Sequence, residues 1–249
     1  ARCSSRNSLG LSMAKNATMK LHNRLLVWLV GLPLTLVLLL QCWYLLHICW
    51  WVNHNPASTA FMRTQLEKLQ EKNPNVQLQH VWVPYNRISV HLKRAIIAAE
   101  DANFAEHDGV DWEALQRAYE KNAKKGKVVS GGSTITQQLA KNLFLSGQRS
   151  YLRKAQEMAI TFMLEMVMDK RRIFEIYLNV IELGSGVFGA EAGARRYFGV
   201  SASALGPQEA ARLAVMLPNP RYFGKHMDSN YLARRSALIQ QRMNSSDLP

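Results

Sequence analysis

Residues 131–142, GGSTITQQLAKN, bring hydroxyls, amides and a lysine close together in the sequence. Two glycines relax the backbone, and a Ser or Thr after them is typical of a helix N-cap, so the pattern predicts a loop that enters a helix. Such an entry leaves backbone N–H groups unpaired at the positive end of the helix dipole, which suits an anion or a hydroxyl-rich ligand. Thr134, Gln138 and Lys141 fall on one face at i, i+4, i+7 spacing. A capped surface helix with solvated polar residues explains this stretch alone equally well.

A carboxylate falls among apolar residues in HLKRAIIAAEDANFAEH, residues 91–107. A helical projection at about 100° per residue puts Glu100 inside an apolar stripe. The stripe consists of Ile96, Ile97 and Phe104. A carboxylate there costs free energy unless it is paired or open to a cleft. Two interpretations stay open, a buried acid paired with an Arg or Lys and a catalytic acid or base.

A second carboxylate, Glu157, borders the apolar face of the predicted helix over SYLRKAQEMAITFMLEM, residues 150–166. Arg153 precedes it by one turn and Lys154 is close by, so by itself this pattern favours a structural ion pair. Together, two carboxylates and several cations around a hydroxyl-binding loop fit sugar chemistry at a phosphate-activated carbon. One carboxylate can take the proton of an attacking hydroxyl, and the cations can hold a departing pyrophosphate.

An apolar segment precedes these residues and predicts a membrane anchor. Residues 25–52 contain no Asp, Glu, Lys or Arg, whereas a helix needs only ~20 apolar residues to cross a bilayer. Basic residues occur before the segment, so the positive-inside rule places residues 1–24 in the cytoplasm and the rest of the chain outside. The segment is too long for the apolar core of a cleaved signal peptide.

The charge distribution favours a phosphate-bearing lipid as the partner. The 249 residues carry a net charge of +13, and five of the 31 basic residues and none of the 18 acidic residues precede residue 25, which leaves +8 for the rest. Nucleic acid is an improbable partner for a domain outside the cell. The three cysteines all lie in the arm or the anchor, so the exported domain is expected to fold without a disulfide.

The rest of the chain predicts one mainly α domain. We divide the sequence into a basic arm, a transmembrane helix, a linker with a short helix, and the main domain, over residues 1–24, 25–52, 53–75 and 76–249. One strand-like stretch, VQLQHVWVPY, precedes the helices. Apolar periodicity predicts helices near residues 88–106, 111–125, 133–145, 150–168, 170–183, 188–197, 207–217 and 230–243.

Five ordered motifs resemble those of the peptidoglycan glycosyltransferases, glycosyltransferase family 51. They are EDANFAEHDGVD (100–111), GGSTITQQLAKNLFL (131–145), RKAQE (153–157), KRRIFEIYLN (170–179) and RLAVMLPNPRYF (212–223). The second matches almost without gaps, and the five are jointly specific. The resemblance implies a lysozyme-like, mainly α glycosyltransferase domain on a membrane anchor. It also implies polymerisation of lipid II on the outer face of the inner (cytoplasmic) membrane of a bacterium.

The same resemblance implies roles for individual residues. Glu100 would be the general base on the acceptor sugar's 4-hydroxyl, and Glu157 would assist the departing lipid pyrophosphate, with a divalent cation such as Mg²⁺ or Mn²⁺ left open. Substrate binding is expected from Asp101, Phe104, His107, Ser133, Thr134, Gln137, Gln138, Lys141, Asn142, Arg153 and Lys154. Structural support is expected from the fourth motif, at Lys170, Glu175, Tyr177 and Asn179. The expected partners are lipid II, the growing lipid-linked chain, the membrane, and other cell-wall synthesis or division proteins.

Three further patterns carry weaker hypotheses. The basic stretch ALQRAYEKNAKKGKVV, residues 114–129, fits a surface that contacts lipid headgroups, with a solvated charge run as the alternative. GSGVFG, residues 184–189, satisfies a dinucleotide-binding pattern, but the segment before it has helical character, so an ordinary glycine-rich turn is favoured. SMAK, residues 12–15, lies in the arm with no Lys-Thr-Gly elsewhere, which excludes a transpeptidase domain.

Two other functions compete with synthesis. A muramidase on a related scaffold would cut glycan rather than build it. A silent membrane scaffold would bind lipid II and recruit other proteins without turnover. The synthase is favoured because both carboxylates and the cations occur together, and a scaffold needs no base.

Overall fold

A computed structural model gives the structure of residues 27–127, 131–146 and 150–249. The chain divides into two compact units, residues 1–47 and 48–249. The basic arm predicted over residues 1–24 lies outside the described residues. A π-helical turn over Val27–Gly31 leads into α1, Leu32–Asn53, whose residues up to 47 belong to the first unit. Among the described residues this is the one helix long and apolar enough to cross a membrane.

The second unit is mainly α, which confirms the predicted fold class. Its helices are α2 (Ala60–Gln70), α3 (Val90–Glu100), α4 (Trp112–Lys125), α5 (Ile135–Phe144), α6 (Tyr151–Val167), α7 (Lys170–Val180), α8 (Gly189–Phe198), α9 (Pro207–Met216), the single turn α10 (Pro220–Phe223) and α11 (Asn230–Arg242). Three 3₁₀ turns cover Tyr85–Arg87, Ala202–Ala204 and Met243–Ser245.

Two groups of helices position the polar loop before α5. In one, α5 packs against α6, α7 and α2. In the other, α9 packs against both α3 and α11. Most interior side chains are apolar, and many are fully buried, as at Ile96 of α3, Leu139 of α5 and Phe174 of α7. The burial of these apolar faces supplies the main stabilisation of the unit, since the described part of the domain contains no disulfide.

The helix predicted over residues 88–106 is shorter than expected. It ends at Glu100, because Asp101 adopts φ −161° and ψ 79° and the chain then runs through turns to Asp111, the N-cap of α4. The projection that placed Phe104 on the same helix face as Glu100 was therefore wrong. Glu100 lies on the last turn of its helix, where a side chain can reach a cleft.

A small sheet accompanies the helices, with strand order β1-β3-β2. The strands are β1 (Gln79–His80), β2 (Glu182–Gly184) and β3 (Val187–Phe188). β1 pairs in parallel with β3, and β2 pairs antiparallel with β3. The strand-like stretch before the helices thus forms only two strand residues, and β2 and β3 were not predicted, because so short a hairpin has too few alternating positions to stand out.

The segment GSGVFG, residues 184–189, forms most of the β2–β3 hairpin. Its turn holds Gly186 at φ +73°, a left-handed conformation that favours glycine. The helix α7 comes directly before the hairpin and α8 directly after it. A dinucleotide-binding site requires the glycines to lie between the first strand and the helix of a βαβ unit. Here they belong to a β-hairpin between two helices, so the expectation of an ordinary glycine-rich turn is confirmed.

Candidate active site

The carboxylate of Glu100 is held by a side-chain amide. Gln138 of α5 donates from Nε2 to Glu100 Oε2 at 2.7 Å. The hydroxyl of Tyr177, on α7, donates to Gln138 Oε1 at 3.0 Å. Within the described part of the chain, Glu100 makes no ion pair. A carboxylate that is oriented by a neutral donor keeps lone pairs available to accept a proton.

The surroundings of Glu100 change its acidity in opposite directions. Burial raises the pKa of the Glu100 carboxyl most strongly, and the charge of Asp101 raises it further. The hydrogen bond from Gln138 and the charge of Lys141 lower that pKa. The net direction is upward, which is the direction that makes a carboxylate a better proton acceptor near neutral pH.

The Glu100–Gln138 hydrogen bond joins two residues that line different clefts. The first has a volume of about 450 Å³, and its polar lining includes Glu100, Asp101, Ser133, Arg117, Arg235 and Arg242. The second, of about 220 Å³, is lined by Gln138, Lys141, Asn142 and Tyr177 together with Phe61 and Leu217. Glu100 itself lines the first cleft, and its hydrogen-bond partner Gln138 lines the second.

The loop before α5 is held in place by Asp101. One carboxylate oxygen of Asp101 accepts from the backbone N–H of Ile135 at 2.9 Å, at the N-terminus of α5. The other contacts Nε2 of His107 at 2.9 Å. Phe104, which lies between Asp101 and His107 in the sequence, is fully buried. Its ring centroid is 5.4 Å from that of Phe174. Asp101 lines the first cleft, whereas His107 and Phe104 do not. His107 instead holds the Asp101 carboxylate, and Phe104 packs in the interior.

Adjacent hydroxyls in the second motif have different positions. Thr134 is the N-cap of α5, forms a capping box with Gln137, and donates to the Gly109 carbonyl at 2.6 Å. Thr134 and Gln137 are both buried, so their hydrogen bonds stabilise the helix entry. Ser133 and Thr134 both line the first cleft, but only Ser133 is exposed.

A glycine of the same loop allows close packing. A Cβ added at Gly132 would come within 3.0 Å of the Leu115 Cα on α4. The loop can therefore approach α4 only if this residue has no side chain, and that explains one of the two glycines in the motif.

The second carboxylate, Glu157, has a different environment. It lies on α6, is 4% exposed, and accepts a hydrogen bond at Oε1 from the ammonium group of Lys154. Lys154 keeps 46% of its side chain exposed. Of the described residues, the linings of the two clefts include neither Glu157 nor Arg153 nor Lys154. The structure therefore brings the first and second motifs together at the clefts and leaves the third on a neighbouring helix.

The described neighbours of Glu157 do not include a cluster of metal-ligating side chains. No group of three or more His, Cys, Asp or Glu side chains that could hold a metal ion occurs in the part of the chain that the structure describes. One oxygen of Glu157 already binds an ammonium group. A carboxylate in that state is a poor ligand for a resident divalent cation, which takes several oxygen ligands.

The fourth motif supplies structural contacts. Asn179 bonds through its side chain to both backbone groups of Val83. Lys170 donates to Glu165 at 2.8 Å and to the His107 carbonyl. Glu165, which sequence reasoning missed, also accepts from Thr136 of α5. These bonds tie the loop after α3 to α5, α6 and α7, as expected for supporting residues.

Comparison with known proteins decides the family. Residues 65–244 match the family model described as transglycosylase. A protein of Janthinobacterium sp. (strain Marseille) named biosynthetic peptidoglycan transglycosylase is 69% identical over 231 residues, which are 93% of this chain and 100% of that protein. Proteins of the same name from Herminiimonas arsenicoxydans and Methylobacillus flagellatus are 65% and 60% identical, over 93% and 88% of this chain and 100% and 95% of theirs. The chain belongs to the transglycosylase family.

This transglycosylase is therefore a glycosyltransferase, and its apolar α1 indicates a membrane-anchored enzyme.

The five motifs do not include two arginines that line the first cleft of the transglycosylase. Arg235 and Arg242 lie on α11, beyond the fifth motif. Their spacing of i, i+7 on a predicted helix was the available signal, because it puts both side chains on one face.

Proposed function

We propose that the chain polymerises lipid II into linear β-1,4 glycan strands of peptidoglycan. The reaction would transfer the growing lipid-linked chain to the 4-hydroxyl of the next lipid II, with loss of undecaprenyl pyrophosphate and inversion at the anomeric carbon. The observation that carries the proposal is the environment of one carboxylate, Glu100. It lines one cleft, accepts a hydrogen bond from a residue that lines a second cleft, has a raised pKa, and has no ion-pair partner among the described residues.

Glu100 would act as the general base. Its carboxylate takes the proton of the acceptor 4-hydroxyl while that oxygen forms a bond to the anomeric carbon of the donor sugar. The bond from this carbon to the pyrophosphate breaks on the opposite face, so the configuration inverts. A base whose pKa lies closer to the working pH than that of an ordinary Glu transfers protons more effectively.

Cations in both clefts support the proposal that each cleft binds a pyrophosphate-bearing substrate. Arg117, Arg235 and Arg242 line the first cleft, and Lys141 lines the second. Each substrate of the proposed reaction carries a pyrophosphate, and guanidinium and ammonium groups bind phosphate oxygens by charge-assisted hydrogen bonds. We assign the acceptor lipid II to the first cleft, beside Ser133, and the donor chain to the second.

Glu157 would act through Lys154. The buried carboxylate holds the ammonium group in place, and the exposed part of Lys154, with Arg153, would stabilise the negative charge of the departing pyrophosphate. Because neither residue lines the second cleft, this role requires the pyrophosphate to extend from that cleft to α6. A divalent cation would then be brought by the pyrophosphate of the substrate rather than by a protein site, since Glu157 is already paired. Mg²⁺ binding by the protein, measured with and without lipid II, tests this: binding is expected only when lipid II is present.

The location follows from the anchor and the substrate. With the basic arm in the cytoplasm, α1 would cross the inner membrane once, and the catalytic domain would lie on the outer face, in the periplasm. Because the sequence has no Lys-Thr-Gly pattern, we propose that this chain builds glycan without cross-linking it.

One experiment tests the proposal against its rivals. The full chain in detergent is incubated with fluorescent lipid II, with and without Mg²⁺, and the products are separated by electrophoresis. A ladder of longer glycans that lysozyme digests supports synthesis. Release of fragments from purified sacculi without any use of lipid II would instead indicate a muramidase, and binding without turnover would indicate a scaffold.

A further inference from the structure

We propose that Tyr177 is a positioning residue for catalysis, because its hydroxyl fixes the Gln138 amide so that an N–H rather than the carbonyl oxygen points at Glu100. This inference rests on the proposed role of Glu100 as the base. The sequence placed Tyr177 among structural supports, and the structure joins it to the reacting carboxylate through a single intervening side chain.

The two ends of the Gln138 amide bind different partners. An amide has a donor end and an acceptor end, and a half-turn of the group exchanges them. Because the Tyr177 hydroxyl donates to Oε1, the other end of the amide must present its N–H groups to Glu100. The two bonds of Gln138, 3.0 Å to Tyr177 and 2.7 Å to Glu100, are the bonds expected for this orientation.

Tyr177 is suited to act as a permanent donor. The side chain is completely buried, and burial, followed by the nearby charges of Glu100 and Asp101, raises the pKa of its hydroxyl well above the usual value. The hydroxyl therefore keeps its proton at any pH at which the protein works. Within the described residues its hydrogen bond goes to Gln138, so donation to Oε1 satisfies this buried group.

The orientation of the amide changes what Glu100 can do. An N–H aimed at the carboxylate stabilises its ionised form, which is the form that accepts a proton. A carbonyl oxygen in the same place would repel the ionised form and favour the protonated acid. Tyr177 thus opposes, through Gln138, the upward effect that burial has on the pKa of Glu100.

Other charged groups also face Glu100, and their contributions stay constant when only the tyrosine hydroxyl is removed. Lys141 on α5 and Asp101 next to Glu100 act on it directly. The remaining charged residues of the same cleft are Asp111, Arg117, Arg235 and Arg242. A change in the titration of Glu100 in a Tyr177→Phe variant is therefore attributable to the amide.

The test measures the pH dependence of polymerisation in Tyr177→Phe, with lipid II as the substrate. We expect kcat to fall about 3- to 10-fold at neutral pH, as for the loss of one hydrogen bond, with KM little changed. The acid limb of the profile should move to higher pH, since the base must lose its proton to act and its pKa has risen. Raising the pH should restore most of the lost rate, whereas a general loss of structure would lower the rate equally at every pH.

Two further variants make the result decisive. Tyr197→Phe removes a matched hydroxyl, which donates to the Leu183 carbonyl at 2.8 Å, and should leave the profile unchanged. Gln138→Met removes the intermediate group, and in that background Tyr177→Phe should add no further shift. An unshifted acid limb in Tyr177→Phe, or a full additional shift in the Gln138→Met background, would overturn the inference.

The same assay separates this inference from the proposed function. If Glu100→Gln is inactive but Tyr177→Phe titrates like the unchanged protein, only the role of Tyr177 is lost. If Glu100→Gln polymerises lipid II at the normal rate, Glu100 is not the base and the inference has no basis.

Discussion

The two carboxylates that the sequence singled out differ in their electrostatic environment. Glu100, at the end of α3, is bonded to a neutral amide and opens to a cleft. Glu157, in the middle of α6, is 4% exposed and paired with Lys154. The first keeps the capacity to accept a proton, while the second serves to hold a cation. Two similar residues on apolar helix faces can therefore have complementary roles, and the nearest partner decides which role each can have.

Replacement of Glu100 by Gln gives the largest effect that we expect. Because a general base contributes ~10²–10⁴-fold, Glu100→Gln should lower the rate of polymer formation by that factor. Binding of lipid II should persist, because Gln has nearly the same shape. Rates with fluorescent lipid II and a separate binding measurement check this. Normal polymerisation by the variant would remove the distinction between the two carboxylates.

Replacement of Lys154 should have an intermediate effect. If Glu157 acts by holding this ammonium group, Lys154→Met should slow polymerisation about 10-fold, or about 1.4 kcal/mol of transition-state stabilisation. It should also destabilise the fold by about 1 kcal/mol, since Glu157 is left buried without its cation and Lys154 is half exposed.

The double variant Lys154→Met, Glu157→Gln separates these two consequences. The stability should return, because no unpaired charge remains, while the rate should stay low. Thermal unfolding and initial rates measure both quantities on the same samples. Recovery of the rate together with the stability would mean that the pair is purely structural.

The sequence predicted the larger elements because each is long enough for the apolar period to repeat. The helix predicted over residues 150–168 is observed as Tyr151–Val167, and that over 170–183 as Lys170–Val180. The end of α3 could not be predicted in the same way. It depends on the contacts of Asp101 with His107 and with the Ile135 backbone, and the latter is distant in sequence.

The motifs located the site residues, and the structure adds what each side chain contacts. Ser133 and Thr134 carry similar hydroxyls and stand next to each other, yet only Thr134 caps a helix. Tyr177 belongs to a motif of supporting residues, yet its hydroxyl reaches the amide beside Glu100. Such assignments depend on side-chain directions across three helices, which no local pattern in the sequence encodes.

The two adjacent hydroxyls extend the comparison from the carboxylates to the loop. Thr134→Ala should cost about 1–2 kcal/mol of stability, because it removes a helix cap and a buried bond to the Gly109 carbonyl. Ser133→Ala should change stability by less than about 0.5 kcal/mol, because the side chain is exposed, and any loss should appear in KM for lipid II. Equal thermal shifts in the two variants would contradict this division.

Replacement of each carboxylate by Gln should change the stability of the fold by a small amount, in opposite directions for Glu100 and Glu157. Folding raises the pKa of Glu100, so the folded state binds its proton more tightly than the unfolded state does. The associated stability is present at low pH and is lost as the pH rises from the ordinary Glu pKa through the raised one. At neutral pH the ionised Glu100 therefore opposes folding, and Glu100→Gln should stabilise the protein by about 0.5–1 kcal/mol, as substitutions at strained active sites do.

Glu157→Gln, which breaks the pair with Lys154, should instead destabilise the protein. Unfolding curves of both variants at pH 4 and pH 7 test the contrast. The gain in Glu100→Gln should disappear at the lower pH, and a gain that is equal at both would mean that the charge of Glu100 has no part in it.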